Sequence, residues 1–145
     1  MRTIKFRGKR IDNGEWVYGY YVGKGVIIPF DKVNYDLGYI NDSECHYCEP
    51  NTIGQLTGVL DKNGKDIYEG DIVQSKLKRA RKYDEILQIC FGDSEYYGKN
   101  KYGIRISLSI LEDYHTLEII GNIHDNPELI NGNYKEDMSK AEIKI

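Results

Sequence analysis

The chain has 145 residues, 40% hydrophobic and 30% charged, with a formal net charge of -3. That size holds one domain, or two small ones, with a real core, and the acidic balance excludes a wholly basic nucleic-acid binder. No apolar run approaches the roughly 20 residues of a membrane helix, and the basic start MRTIKFRGKR has no apolar stretch behind it, so a cytoplasmic protein without a secretion signal is expected.

In chain order, RTIKFRG alternates, with Ile4 and Phe6 on one side and Thr3, Lys5 and Arg7 on the other. Asp12-Asn13-Gly14 is a hairpin turn signal, because Asn and Gly accept left-handed φ cheaply. EWVYGYYVG follows, with Trp16, Tyr18, Tyr20 and Val22 on one face. Gly23–Gly25 is a second turn, and VIIPF a third strand that Pro29 ends or places at an edge. Residues 2–30 therefore read as a three-stranded meander. Residues 31–51 show neither helical nor strand period and read as a long loop with one short strand near Tyr39-Ile40.

From Thr52 the strand pattern returns. TIGQLTGVL carries Gly54 and Gly58, which suggest a bulge. Asp61–Gly64 (DKNG) is a turn, Glu69-Gly70-Asp71 another, and DIVQSKL a strand. EILQICF alternates and GDSEYYGKNKYG reads as a loop. IRISLSIL reads as a strand with Ile104, Ile106, Leu108 and Ile110 inward, and TLEIIGNI as the last strand. DNPELIN suits one helical turn, with Asn126 able to cap and Pro127 at the first helical position. The fifteen Gly and 13 Tyr fit this β-rich reading.

The expected architecture is mainly β: an N-terminal antiparallel meander with an irregular loop over 1–51, then a small SH3-like β-barrel over 52–130 closed by a short C-terminal helix. Residues 131–145 read as a polar tail. Five short strands over 52–123 suggest the barrel, and the acidic-Gly turn in YEGDIV resembles an SH3 diverging turn. That is an analogy of fold, which carries no function.

Three stretches, MRTIKFRG, TIGQLTGVLDKNGKDIYEGDIV and EIIGNIHDNPELI, occur in that order. Together they resemble the YopX-like family of phage and prophage proteins. The resemblance implies small, mostly β proteins encoded in temperate phage genomes, with no established activity. It supplies no catalytic residue to carry over. Its shared positions, Gly54, Gly58, Asn63-Gly64, Gly70-Asp71, Gly121 and Asn126-Pro127, read as turns, bends and a helix cap. Residues 31–50 and 75–84 lie outside it.

Three features bear on chemistry. Cys45-His46-Tyr47-Cys48 is half of a zinc knuckle, and zinc takes four ligands. Cys90 and one histidine would have to complete the set. His115 and His124 flank one strand, which puts them about 30 Å apart if extended, so both cannot hold one metal. No cofactor is expected. Two ordinary thiols are the simpler reading, with a small metal-binding protein through Cys45 and Cys48, or a redox pair, as alternatives. An odd count of three Cys fits a reducing compartment.

The second feature is the run Lys76, Lys78, Arg79, Arg81 and Lys82, five cations without an acid, matched by five more in residues 1–10. The rest of the chain is acidic. The run reads either as a solvated loop that discourages edge pairing or as a phosphate-contacting loop. In the second case Lys5 and Arg7 would extend it, and Tyr83, Tyr96 and Tyr97 would offer stacking. The third feature is the Tyr-rich strand, a core face or an interaction surface.

Catalytic motifs are missing: there is no Gly-x-Ser-x-Gly, P-loop, His-Glu-x-x-His or dinucleotide fingerprint. Asp71 follows Gly70 and reads as a turn residue. The sequence thus points to a non-enzymatic accessory protein of the bacterial cytoplasm, a protein-interaction module or oligomeric scaffold. Its expected partners are further copies of itself or a host or phage protein. Nucleic acid is the alternative, and no membrane contact is expected.

Overall fold

In the computed structural model, which describes residues 2–34, 39–40, 44–79 and 84–131, the turn signals fall where the chain reverses. β1 (Phe6–Lys9) and β2 (Trp16–Tyr21) form the first hairpin around Gly14, and β3 (Val26–Ile28) follows the Gly23–Gly25 turn. Residues 2–30 are the expected meander. β4 (Val33–Asn34) and β5 (Tyr39–Ile40) pair as a two-stranded ribbon, so the short strand expected near Tyr39-Ile40 is present.

The segment read as irregular also supplies β6 (His46–Tyr47), which pairs with β3. The cause is backbone pairing: Cys48 N–H donates to the Gly25 carbonyl at 2.7 Å and Glu49 N–H to Lys9 at 2.9 Å. β7 (Gly54–Leu60) and β8 (Asp66–Tyr68) complete a six-stranded sheet in the order β6-β3-β2-β1-β7-β8. Gly58, at φ 86°, sits where the β7–β8 register shifts, the bulge its position suggests.

The second sheet holds β9 (Asp71–Leu77), β10 (Asp84–Gly92), β11 (Glu95–Lys99), β12 (Arg105–Ser107) and β13 (His115–Asn122), in the order β12-β11-β10-β9-β13. α1 (Leu108–Tyr114) joins β12 to β13, and α2 (Glu128–Asn131) follows. The helical turn expected at DNPELIN is α2. Asn126 Oδ1 turns back to accept from Asn122 N–H at 3.3 Å.

Four expectations need correction. Among the described residues neither sheet closes into a barrel. β7 and β8, expected in the C-terminal unit, belong to the first sheet, because Gly54 and Gln55 pair with Arg7 and Phe6. The chain accordingly divides into one unit of Met1–Leu60 with Gly64–Glu69, and another of Asp61–Asn63 with Gly70–Ile145. IRISLSIL is a strand only to Ser107; Leu108 and Leu111 are buried on the helix that follows, while Ile104 and Ile110 are exposed. The i, i+3 spacing of Leu108 and Leu111, the two residues of the helix that are buried, wins over alternation there. The supposed loop at 92–103 contains β11. Asp93 (φ 52°) and Ser94 (φ 66°) make its hairpin turn without glycine, which Asp tolerates better than most residues.

Each unit has its own core: Ile27, Ile28, Cys48, Ile67 and Tyr68 in the first, and Ile72, Val73, Leu87, Ile89, Leu111 and Leu117 in the second. Each buried aliphatic side chain contributes about 1.5–3 kcal/mol. In the second unit Asp61 is buried, and its carboxylate accepts Asn63 N–H at 2.8 Å and Ile119 N–H at 3.2 Å. Lys62 N–H donates to the Leu117 carbonyl at 2.7 Å, and Lys62 pairs with Glu118 at 2.9 Å. The DKNG turn is therefore docked on β13 through both backbone and side chains.

Candidate interaction face

Antiparallel pairing sets Arg7 opposite Tyr18 and Lys9 opposite Trp16. Lys5 continues the ladder, its carbonyl accepting Leu56 N–H at 2.8 Å. Alternation puts Lys5, Arg7, Lys9, Trp16, Tyr18 and Tyr20 on one face of the first sheet. The Arg7 guanidinium lies 4.6 Å from the Trp16 ring centre and 5.0 Å from that of Tyr68. Arg7 is only 7% exposed, where such cation–aromatic contacts are worth about 2 kcal/mol against 0.5–1 at the surface. Its Nη2 points to the Glu69 carbonyl at 3.5 Å. Gly54, opposite Arg7, admits that carbonyl: a Cβ on Gly54 would collide with the Glu69 oxygen.

Around this clasp the aromatics remain partly open. Tyr18 is 44% and Tyr20 37% exposed. The Tyr18 ring stands 5.6 Å from Tyr68, with the Lys5 ammonium 5.4 Å above it. Tyr20 meets Phe30 edge-on at 4.4 Å. Val22 and Tyr47 are also exposed, and Tyr47 pairs with Val26, beside Val22 in the β2–β3 turn. The face is thus an exposed apolar row whose rings are held by neighbours, with cations along one side. The reading of this strand as a core face is corrected: Tyr18, Tyr20 and Val22 face outward, because the opposite side of β2, with Val17, Gly19 and Tyr21, turns inward.

The other sequence-derived sites scatter. Lys5 is half-exposed and Arg7 is clasped, so Arg7 offers little to a phosphate. Lys76 lies in β9, 3.8 Å from Asp84 across the strand pair. The Lys78 ammonium donates to the Asp113 carbonyl at 3.2 Å, and Arg79 is exposed. Arg81, Lys82 and Tyr83 lie outside the described residues. Tyr97 is a core residue under Arg105, whose guanidinium is 4.5 Å from its ring, and so offers no stacking surface beside the run.

Cys48 is buried, with its thiol 3.9 Å from the His46 carbonyl, and burial pushes its pKa up. Cys45, Cys48 and Cys90 carry thiols rather than disulfides. Among the described residues no three His, Cys, Asp or Glu side chains gather as a metal site, so Cys45 and Cys48 do not assemble one with them.

Sequence reasoning missed a polar cluster in the second sheet. Ser75, buried in β9, sits 2.7 Å from His115 Nδ1 on β13 and opposite Glu85 on β10. Glu85 accepts from Asn100 Nδ2 at 2.6 Å. Strand register alone brings these together, which spacing along the chain does not reveal. With Ser75 inaccessible, the cluster satisfies buried polar groups.

The comparisons with known proteins fit this architecture. A family model described as YopX protein matches residues 5–131. The chain belongs to the YopX family. Among solved structures, protein yopX from Bacillus subtilis is 18% identical, with a TM-score of 0.51, over 92% of this chain and 99% of that one; the likeness is one of fold. Protein EF1440 from Enterococcus faecalis is 25% identical, with a TM-score of 0.48, over 88% of this chain and 98% of that one. No curated protein matches.

The YopX motifs fall on structural joints. Gly54 admits the Glu69 carbonyl, Gly58 makes the bulge, and Asn63-Gly64 closes the β7–β8 turn. The Gly70 carbonyl accepts Ile123 N–H at 2.8 Å, and Asp71 is buried beside it. Gly121 lies where a Cβ would meet Asn126 Oδ1 at 2.5 Å. No described helix is long and apolar enough to cross a membrane.

Proposed function

We propose that this YopX-family chain is a non-enzymatic interaction module that binds a polypeptide through the outer face of its six-stranded sheet. One observation carries the reading. Tyr18 and Tyr20 stand partly exposed while Tyr68, Lys5 and Phe30 fix their rings. Held aromatics lose little freedom on binding and dominate interface energetics. Family membership and the resemblance in its motifs support a phage- or prophage-encoded accessory protein acting in the bacterial cytoplasm. The second sheet runs four strands in succession and returns the fifth beside the first after a helix, which supports an SH3-like reading of that unit. That likeness carries no function.

Nucleic acid binding by the 76–82 run is the competing reading. The described part of the run gives it no specific support, since Lys76 has Asp84 and Lys78 has a carbonyl. The test compares the wild-type chain with Tyr18→Ala/Tyr20→Ala, folded by circular dichroism, in sedimentation and in pull-downs from host and phage-infected cells. The proposal expects a self-complex or an identified partner that the double variant loses. An unchanged complex overturns it. So does a salt-sensitive mobility shift with single-stranded DNA that is abolished by Lys78→Ala/Arg79→Ala/Arg81→Ala and indifferent to the tyrosines.

A further inference from the structure

We propose that Asn63, in the DKNG turn, is a site of spontaneous covalent modification, and that its conversion to isoaspartate releases this turn from β13. The chain has three Asn-Gly pairs: Asn13-Gly14, Asn63-Gly64 and Asn131-Gly132. In such a pair no side chain shields the glycine nitrogen, and its backbone turns freely enough to bring that nitrogen onto the asparagine Cγ.

The chemistry needs only water. The Gly64 nitrogen gives its proton to solvent base and attacks Asn63 Cγ. The N–Cγ bond forms and the Cγ–Nδ2 bond breaks. Nδ2 takes up a proton and leaves as ammonia, which closes a cyclic imide. Water then opens the ring. Cleavage at the Asn63 main-chain carbonyl leaves the chain running through the former side chain, as isoaspartate; cleavage at Cγ leaves aspartate. In sum an amide and a water become a carboxylic acid and ammonia, with no change in oxidation state.

The described pairs differ in how their reacting groups are held. At the first, Gly14 N–H donates to the Arg10 carbonyl at 3.0 Å, and Asn13 Oδ1 accepts Glu15 N–H at 3.0 Å. Both the attacking nitrogen and the side-chain amide are engaged. Asn63 is exposed and holds Asp61 Oδ1 through its backbone N–H, at 2.8 Å. Among the described residues no hydrogen bond ties its side-chain amide. Gly64, at φ 79°, has open space where a side chain would stand. Gly132 lies outside the described residues.

The position gives the reaction its consequence. Asp61 joins the Asn63 amide to that of Ile119 on β13, and Lys62 N–H donates to the Leu117 carbonyl. Isoaspartate adds a methylene to the main chain directly after these contacts. It also sets a new carboxylate beside that of buried Asp61, and like charges resist sharing a buried place.

Incubation of the full chain in warm, mildly alkaline buffer tests this. Peptide mapping by mass spectrometry follows conversion at each pair, and labelling with an isoaspartyl methyltransferase marks the isoaspartate. Asn63 is expected to convert about tenfold faster than Asn13, whose two hydrogen bonds must open first. In urea the two rates should converge. Hydrogen exchange at the Ile119 amide is expected to quicken as isoaspartate accumulates. Asn63→Gln, which closes its ring less readily, should keep both its mass and its slow exchange. Conversion at Asn13 level with or ahead of Asn63 overturns the proposal, as does an Asn63 that stays intact while the chain in urea converts. Isoaspartate at Asn63 with unchanged exchange at Ile119 overturns the release of the turn. Should Asn63→Gln fail to fold, the wild-type time course still decides.

Discussion

The Arg7 guanidinium lies 4.6 Å from the Trp16 ring centre and 5.0 Å from that of Tyr68, almost fully buried between them. The pairing fixes the face from beneath: Tyr68, which holds Arg7, also stands 5.6 Å from the partly exposed Tyr18. A planar, weakly hydrated cation suits such stacking better than an ammonium. Arg7→Lys should cost about 1 kcal/mol and Arg7→Ala about 2 kcal/mol or more, since the latter also loses the packed stem. Urea unfolding followed by Trp16 fluorescence measures both. Equal effects of the two substitutions would show that stacking contributes nothing beyond volume.

Gly54 tests the same clasp from the neighbouring strand. Its Cβ would strike the Glu69 carbonyl that faces Arg7. Backbone cannot give way as a flexible side chain can, so Gly54→Ala should destabilise by about 1–3 kcal/mol. Gly64→Ala meets no atom but carries φ 79°, so its cost should come from backbone strain alone and be nearer 1 kcal/mol. Thermal melts of the two variants separate a clash from a strained turn.

Asp61 anchors the DKNG turn through two backbone N–H groups, one local and one on β13. Removing the carboxylate leaves both donors to find other partners in a buried place. Asp61→Ala should cost about 1–3 kcal/mol and speed hydrogen exchange at the Ile119 amide. Full retention of that amide's protection would show that Asp61 does not hold it.

Burial raises the pKa of Cys48. At pH 8 it should react with a disulfide reagent only through opening of the fold, more slowly than the half-exposed Cys45 and Cys90. The sign of the linkage follows: an unfolded thiol ionises near pH 8.5, while the folded one keeps its proton to higher pH. Stability from this group is therefore complete below about pH 8.5 and declines as pH rises towards the folded value. In Cys48→Ala that alkaline component should vanish from a pH series of urea midpoints.

The sequence made turns and strand existence legible because Gly, Asn and Pro act locally. Gly14, Gly58 and the helical turn after Asn126 all stand where expected. It mislaid what depends on pairing over distance. Gly54 joins β1 rather than a barrel, and the CHYC stretch becomes a strand because His46 and Tyr47 pair with β3 and Gly25 receives the Cys48 amide. Ile104 and Ile110 alternate like a strand, yet Leu108 and Leu111 decide the helix because they are the residues that reach the core. On the candidate face the row Trp16, Tyr18 and Tyr20 was visible in alternation; that it shares a side with Lys5 and Arg7 needed the β1–β2 register. That Arg7 is clasped rather than free, and that Tyr47 is exposed near the same row, needed the register of four strands.

The central claim is that Tyr18 and Tyr20 touch another polypeptide. A photo-crosslinking benzoylphenylalanine placed at position 20, in cells that also make the wild-type chain, tests it most directly. The account predicts a discrete cross-linked polypeptide that disappears on Tyr18→Ala and is not formed when the probe stands at the exposed Phe91 position. A face that yields no cross-link, or the same products as position 91, would contradict it.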